Sequence, residues 1–332
     1  MNPVLSIVVP AYNEARGLVE FHRRLSGVLD RVGLSAEILF VNDGSRDETG
    51  AVLDAIRLED ARVAVVELSR NFGKEIALTA GLDHAVGDAV VVIDADLQDP
   101  PELIPQLIER WREGYDVVYA RRSRRSGESL LKKATAKIFY RVMARIGSPE
   151  IPTDTGDFRL LSRRAADALA RLRERHRFMK GLFSWIGYRQ VAVEYVRDPR
   201  HTGQTKWNYW KLWNLAIEGF TSFTIAPLKI ATYIGVSAAA AAFGYAALII
   251  VRTLLHGRDV PGYASIMVAV LFLGGIQLMG LGVLGEYVGR MFNETKGRPL
   301  YLIDRYLPAR YASTGERPES VLDQSTDDRP SR

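Results

Sequence analysis

Asp94, Asp96 and Gln98 stand at alternate positions directly after four apolar residues, Val90 to Ile93. In extended geometry their side chains share one side of the chain. Two carboxylates and an amide on one side suit a hard divalent cation such as Mg2+ or Mn2+, which takes oxygen ligands and is often shared with a substrate's phosphates. The apolar run reads as a parallel strand covered on both faces, and the crevice beyond the carboxyl end of such a strand is where open α/β sheets bind ligands. The same residues also fit an acidic turn in which Pro100-Pro101 opens a helix at Glu102.

Two further sets have chemistry in them. Asp43 follows the strand-like run Glu37 to Val41; it can accept hydrogen bonds from a nucleobase or ribose, or close an Asx-turn with Gly44. Ser45-Arg46-Asp47-Glu48 behind it fits a capping box for the next helix. Arg121, Arg122, Arg124 and Arg125 follow the strand-like Val117 to Ala120, where such a cluster grips phosphates or forms a solvated basic face.

The elements that must position these residues alternate. Ser6 to Pro10, Glu37 to Val41, Arg62 to Leu68, Val90 to Ile93 and Val117 to Ala120 read as strands. Leu18, Phe21, Leu25, Val28, Leu29 and Val32 recur at helical spacing, and Glu75 to Ala85 reads as a second helix. This order predicts an α/β fold, a mostly parallel sheet with right-handed crossovers and helices on both faces. No G-x-G-x-x-G and no Walker A sequence occurs, so a dinucleotide or P-loop grip on phosphate is excluded.

The 332 residues contain no cysteine, which rules out disulfides and thiolate metal sites, and carry a formal charge of +5. A basic balance points to phosphate-rich partners: nucleotides, nucleic acid or an anionic membrane. No signal peptide is apparent at the start, so the first part of the chain is expected in the cytoplasm. Two uncharged apolar segments, Ile230 to Val251 and Ala264 to Gly285, each approach the ~20 residues that cross a bilayer core of ~30 Å. Lys206, Lys211 and Lys229 precede the pair, and Arg290, Lys296 and Arg298 follow it. That bias places both ends in the cytoplasm, although Arg252 and Arg258 lie in the hairpin between. Glu128 to Ile146 and Tyr209 to Phe223 read as amphipathic helices on the inner leaflet, which makes anionic lipids a partner. Gly274, Gly275, Gly280, Gly282 and Gly285 allow close packing of the second span or contacts within an oligomer.

Four motifs in this order and spacing resemble the family 2 glycosyltransferases: Val8-Val9-Pro10-Ala11-Tyr12-Asn13-Glu14, Val41-Asn42-Asp43-Gly44-Ser45, Asp94 to Pro100, and Thr155-Gly156-Asp157-Phe158-Arg159-Leu160. The nearest branch is the polyprenyl-phosphate glycosyltransferases, which include bactoprenol glucosyltransferases and dolichol-phosphate mannose synthase. Arg200-His201-Thr202-Gly203-Gln204-Thr205-Lys206-Trp207 resembles the family's R-x-x-G-x-S-K-Y segment with Thr and Trp substituted. The paired apolar segments and Gly285-Glu286-Tyr287-Val288-Gly289-Arg290 are similar to the bactoprenol type.

The resemblance implies a GT-A fold with a C-terminal two-helix transmembrane hairpin, in a bacterial inner membrane. The implied layout is a cytosolic catalytic domain over 1–208, a juxtamembrane helix over 209–228, transmembrane helices of about 230–251 and 264–285 within 229–290, and a cytosolic tail over 291–332, disordered after about 312. The implied activity is inverting transfer of a sugar, glucose from UDP-glucose, onto undecaprenyl phosphate for cell-envelope glycosylation. Pro10, Tyr12, Glu14, Asp43, Asp94 and Ala95 would line the nucleotide-sugar pocket, with Asp96 and Gln98 holding Mg2+ or Mn2+. Arg200 and Lys206 would fold over the diphosphate, and Arg122 and Arg125 would receive the acceptor phosphate. Asp157 would orient the nucleophile or anchor its loop through Arg159. Nucleic acid is not an implied partner, whereas a homo-oligomer is. A processive polysaccharide synthase, which would carry Q-x-x-R-W and more spans, and a silent nucleotide-sugar-binding scaffold are the rival readings.

Overall fold

Among the described residues, strands β1 (Leu5–Ala11), β2 (Ala36–Asn42), β3 (Val63–Leu68) and β4 (Ala89–Val92) form the parallel centre of an eight-stranded sheet; with β5 (Val117–Arg122), β6 (Thr155–Ser162), β7 (Gln190–Tyr195) and β8 (Ile303–Leu307) the order is β7-β5-β6-β4-β1-β2-β3-β8. Every residue of β1, β2 and β4 is buried, as continuous apolar strands require when both faces are covered. The computed structural model describes residues 3–122, 155–175, 177–195, 226–256 and 262–310. The two amphipathic segments foreseen at 128–146 and 209–223, Arg124, Arg125, Arg200, Lys206 and the tail beyond 310 lie outside those residues.

Alternating strand residues feed two cores. Ile7, Val9, Ile38, Phe40 and Val91 meet Phe21, Leu25 and Leu29 of α1 (Leu18–Val32), Leu53 of α2 (Thr49–Glu59) and Leu107 of α4 (Ile104–Arg112). Val8, Leu39, Val41, Val90 and Val92 meet Leu78 of α3 (Lys74–His84), Leu169 of α5 (Arg163–Ala170) and Phe183 of α6 (Met179–Trp185). Each such fully buried side chain contributes ~1.5–3 kcal/mol. The approach of α3 to β1 is close enough that a Cβ at Gly81 would lie 2.2 Å from Val8 Cγ1.

The sheet is more mixed than the strand–helix alternation predicts. Strand β6 (Thr155–Ser162) runs antiparallel to both β4 and β5 (Val117–Arg122), and β7 (Gln190–Tyr195) runs parallel to β5. Polar starts hide these strands, Thr155-Gly156-Asp157 in β6 and Gln190 in β7.

Two local expectations are corrected. Residues 94–98 are not extended: β4 stops at Val92, Leu97 adopts φ 59°, and Asp96 Oδ1 accepts a hydrogen bond from Gln98 N at 3.1 Å. The segment is an Asx-type turn, and it runs through Pro100 into a 3-10 turn at Pro101–Leu103 that leads to α4. Nor does Ser45 cap α2. Asp47 Oδ1 accepts from Thr49 N at 3.1 Å, while Ser45 Oγ accepts from Asn13 N at 3.0 Å.

Helices α7 (Ala226–His256) and α8 (Tyr263–Thr295) form an apolar hairpin, longer than the uncharged segments because the helices continue into their polar flanks. Ile230, Phe243, Leu254, Val268 and Leu278 are exposed on them, and neither spanning segment buries its surface in the rest of the protein. A helix apolar on all sides belongs in lipid. Small residues Gly235, Ala238, Ala239 and Ala242 line the seam with Leu273 and Ile276. A Cβ on Gly274, Gly275, Gly280, Gly282 or Gly285 would meet open space, so these glycines do not serve close packing within the hairpin.

Past α8 the chain returns to the sheet. Strand β8 (Ile303–Leu307) pairs antiparallel with β3. Arg305 bonds Glu67 at 2.9 Å and Asp54 at 3.0 Å, and Ser69 N donates to Leu302 O at 2.9 Å.

Candidate active site

The carboxyl ends of β1, β2, β3 and β4 open on one edge of the sheet, and four connecting loops leave there. The first two are tied together: Asp43 N donates to Ala11 O at 2.9 Å, Arg46 N to Asn13 Oδ1 at 2.9 Å, and Glu14 N to Thr49 Oγ1 at 3.0 Å. Pro10 is buried in β1 opposite Val41, Tyr12 projects with 42% exposure, and Glu14 is partly buried. Asn13 holds φ 55°, a left-handed conformation that Asn tolerates better than most residues.

Asp43 faces neither solvent nor Gly44. It is 2% exposed, and its two oxygens accept from Phe72 N at 2.7 Å and Gly73 N at 2.9 Å. Burial raises its pKa, opposed by those two bonds and by Arg70. Its carboxylate therefore holds the β3–α3 loop. Gly44 makes room for that loop, because a Cβ there would lie 2.3 Å from the Arg70 carbonyl carbon, at φ +60°.

The loop delivers Lys74, the first residue of α3. Lys74 Nζ lies 2.7 Å from Asp94 Oδ2 and 2.6 Å from Asp157 Oδ2. Asp94 follows β4 and Asp157 lies near the start of β6, so the antiparallel pairing of the two strands brings both carboxylates to one edge. Burial pushes the Asp94 carboxyl above the usual carboxylate range; Lys74 opposes this and Asp157 reinforces it. Burial acts upward on Asp157 too, but Lys74, Lys180 and Arg159 outweigh it and keep that carboxyl low. Lys74, partly covered by its neighbours, is kept protonated by the two carboxylates. Asp94 Oδ1 is buried and has no hydrogen-bond partner among the described residues. Ala95 is 3% exposed and Gln98 5%.

Asp157 does not use its carboxylate on Arg159. The Arg159 guanidinium instead donates to the carbonyls of Gly156 at 2.8 Å and Asp157 at 3.2 Å, and it lies 3.5 Å from the centre of the Phe183 ring. Burial lowers the Arg159 pKa to about 10. Lys180 on α6 is lowered by burial and by Arg159, Arg122 and Lys74, with Asp157 acting against them. The arginine cluster also resolves in part. Arg121 pairs outward with Glu194 at 2.5 Å, while the Arg122 Nε donates to the Tyr195 hydroxyl at 3.4 Å.

The structure thus brings Asp94, Asp157 and Arg122 into one electrostatic neighbourhood, adjoining Asp96 and Gln98 on the same turn. Motif reading singles out neither Lys74 nor Lys180. The signal available for Lys74 is its place in the first turn of a helix that follows a strand's carboxyl end, where backbone N–H groups favour anions.

Comparison with known proteins gives two family matches, Glycosyl transferase family 2 over residues 6–170 and the GtrB C-terminal hairpin over residues 226–291. The prophage bactoprenol glucosyl transferase homolog of Escherichia coli is 50% identical over 301 residues, 91% of this chain and 98% of that protein. An uncharacterized glycosyltransferase of Synechocystis is 54% identical over 309 residues, 92% of this chain and 97% of the relative. Among solved structures, glucosyl-3-phosphoglycerate synthase from Mycobacterium tuberculosis in complex with Mn2+, UDP-glucose and phosphoglyceric acid aligns at TM-score 0.43 and 23% identity, over 64% of this chain and 76% of that one.

Proposed function

The chain belongs to glycosyl transferase family 2, and on that premise we propose that it transfers glucose from UDP-glucose to a polyprenyl phosphate, with inversion. The site of reaction is the cytoplasmic face of a bacterial inner membrane. The observation that carries this reading is one chain holding both a lysine-bridged carboxylate pair at a sheet's carboxyl edge and an apolar hairpin. Relatives named bactoprenol glucosyl transferase, at 49–50% identity over at least 90% of the chain, support the acceptor and the sugar. A prenyl chain leaves the bilayer only at ~0.8 kcal/mol per exposed CH₂, so the enzyme must meet its acceptor at the membrane.

The chain's own residues supply most of what such a transfer needs. The leaving group is a nucleoside diphosphate, whose growing charge Lys74 can stabilise from the helix N-terminus without a proton transfer. The acceptor phosphate has a second pKa of ~6 and is largely ionised at neutral pH, so no strong base is required. Asp157, held low by Lys74 and Lys180, is a weak base suited to orienting those cations. Pro10, Tyr12, Glu14 and Ala95 would line the nucleotide side, with Asp43 behind them fixing the β3–α3 loop; Arg122 with Arg125 would serve the acceptor, and Arg200 with Lys206 would cover the diphosphate.

A divalent cation fits the same turn. Asp96 and Gln98 would hold Mg2+ or Mn2+, and the buried Asp94 Oδ1, without a hydrogen-bond partner among the described residues, offers a further carboxylate oxygen beside them. Among the described residues no three His, Cys, Asp or Glu side chains form a metal cluster by themselves, so a cation here would draw further oxygens from the diphosphate. When bound, it would neutralise the diphosphate and favour its departure.

Membranes holding the full chain, given undecaprenyl phosphate and a panel of radiolabelled nucleotide sugars, test this reading. Glucose from UDP-glucose should appear in the lipid fraction, and Asp96→Ala should abolish the divalent-cation-dependent product while the protein still inserts. Absence of lipid-linked product with every sugar would refute the proposal; undiminished turnover without divalent metal would remove the cation from it.

A further inference from the structure

Asp99 ends the acidic turn yet belongs to neither the nucleotide side nor the proposed cation ligands. It is 1% exposed, and a buried carboxylate must be paired. Its Oδ1 accepts a hydrogen bond from the Tyr195 hydroxyl. The same hydroxyl oxygen accepts from Arg122 Nε at 3.4 Å, so guanidinium, phenol and carboxylate form one chain of donors and acceptors.

The sheet sets this chain in place. Tyr195 closes β7 and stands opposite Arg122 in the parallel β5–β7 register, as Glu194 stands opposite Arg121. Strand alternation sends Arg121 outward to Glu194, whereas Arg122 turns toward the acidic turn. Gly156 borders the pair: a Cβ there would meet Arg122 Nη2 at 3.4 Å and Asp99 Oδ2 at 3.8 Å, ordinary contact distances that place the guanidinium and the carboxylate side by side. Among the described residues only the Nε of this guanidinium is engaged, which leaves both Nη groups for a ligand. The hydroxyl keeps its proton, because burial and Asp99 both raise the Tyr195 pKa.

We propose that Tyr195, backed by Asp99, is a positioning residue that holds Arg122 ready for the acceptor phosphate. The inference rests on the reading of Arg122 as a ligand of that phosphate. Arg carries a large rotamer entropy, and fixing it before the ligand arrives removes that cost from binding. A carboxylate acceptor also polarises the phenol and makes its oxygen a better partner for the guanidinium. The arrangement ties the turn of Asp94 to Asp99 to the acceptor arginine, so the donor and acceptor halves of the site share one support.

Steady-state kinetics of the detergent-solubilised full chain, with UDP-glucose and undecaprenyl phosphate, provide the test. Tyr195→Phe keeps the ring and removes the link; it should raise KM for undecaprenyl phosphate about tenfold, the scale of a hydrogen bond to a charged group, while kcat and KM for UDP-glucose stay within about twofold. Arg122→Ala should raise the acceptor KM further, and the double variant should be no worse than Arg122→Ala alone. If Tyr195→Phe lowers expression, Asp99→Asn, which leaves the phenol in place, should show the same acceptor-specific rise. An unchanged acceptor KM in Tyr195→Phe beside a raised one in Arg122→Ala, or additive effects in the double variant, overturns the inference alone. An unchanged acceptor KM in Arg122→Ala overturns the reading of Arg122, and the inference with it.

Discussion

Lys74 and Asp157 lie 83 positions apart in the chain, yet the ammonium of one stands 2.6 Å from the carboxylate of the other. The antiparallel pairing of β6 with β4 makes the contact, since it carries the start of one strand to the end of its neighbour. Lys74 also holds Asp94 at 2.7 Å, so a single cation balances two acids. Lys74→Met should lower transfer by ~10²–10³, the usual loss when one donor to a developing anion is removed. Lys74→Arg, which keeps the charge, should fall between. Because Lys74 holds the Asp157 carboxyl down, its loss lets that carboxyl rise, and the acid limb of kcat/KM should move to higher pH. An acid limb that stays where it was in Lys74→Met would disconnect Lys74 from Asp157 in the working enzyme.

Gly44 controls the same lysine from a distance. Its φ of +60° costs a side-chain-bearing residue ~1–2 kcal/mol, and a Cβ would strike the backbone at Arg70 and Asn71. Gly44→Ala should therefore push the β3–α3 loop away from Asp43, with a loss of roughly 2–4 kcal/mol in stability. Thermal unfolding would read the stability, and a raised KM for UDP-glucose would read the displaced Lys74. A stable variant with normal donor kinetics would contradict the packing at this turn.

The family motifs were legible in order and spacing, and so was the apolar hairpin, because these signals are local. The lysine bridge was not. Gly73-Lys74 looks like any helix start until β6 is known to lie beside β4, and Thr155-Gly156-Asp157 lacks the apolar pattern of a strand. Alternate spacing misled for Asp94, Asp96 and Gln98, because the left-handed Leu97 turns the chain. Asp43 shows a further limit: its type suggested a ligand or an Asx-turn, while its oxygens serve amides about 30 positions away. Strand β8 escaped notice because Asp304 and Arg305 interrupt its apolar residues and it follows the membrane segments.

Far from the site, Asp60 sets an acid limit on stability. It accepts from His22 at 3.0 Å and from Arg62 at 2.9 Å. Burial pushes its carboxyl up, but His22 and Arg62 prevail and hold it far below the usual carboxylate range. A depressed folded pKa means that this stabilisation is present above the unfolded value of ~3.9 and is lost as pH falls through the folded one. Asp60→Asn should cost about 1–3 kcal/mol at pH 7, and the gap in Tm from the parent should narrow below pH ~4. A gap of constant size from pH 7 to pH 3 would show that the charge of Asp60 is not what stabilises this corner.

Strand β8 covers an edge that would otherwise be open. Deleting the chain from Ile303 onward exposes the unpaired backbone of β3, a template for association, and removes the bonds of Arg305 to Glu67 and Asp54. The shortened protein should still insert through α7 and α8 but should lower the Tm of the catalytic part and aggregate in detergent. Arg305→Ala, which removes only partly exposed ion pairs, should cost less than ~1 kcal/mol. Size-exclusion chromatography of both variants separates strand pairing from the ion pairs.

The same strand sets a timetable for biogenesis. The sheet's outer edge is made before the hairpin is synthesised, and the segment that covers it emerges only afterwards. During synthesis the edge of β3 must wait while more than 200 further residues are added and two helices enter the bilayer. The sheet is completed only after the hairpin has been made, and until then its open edge is available to other chains.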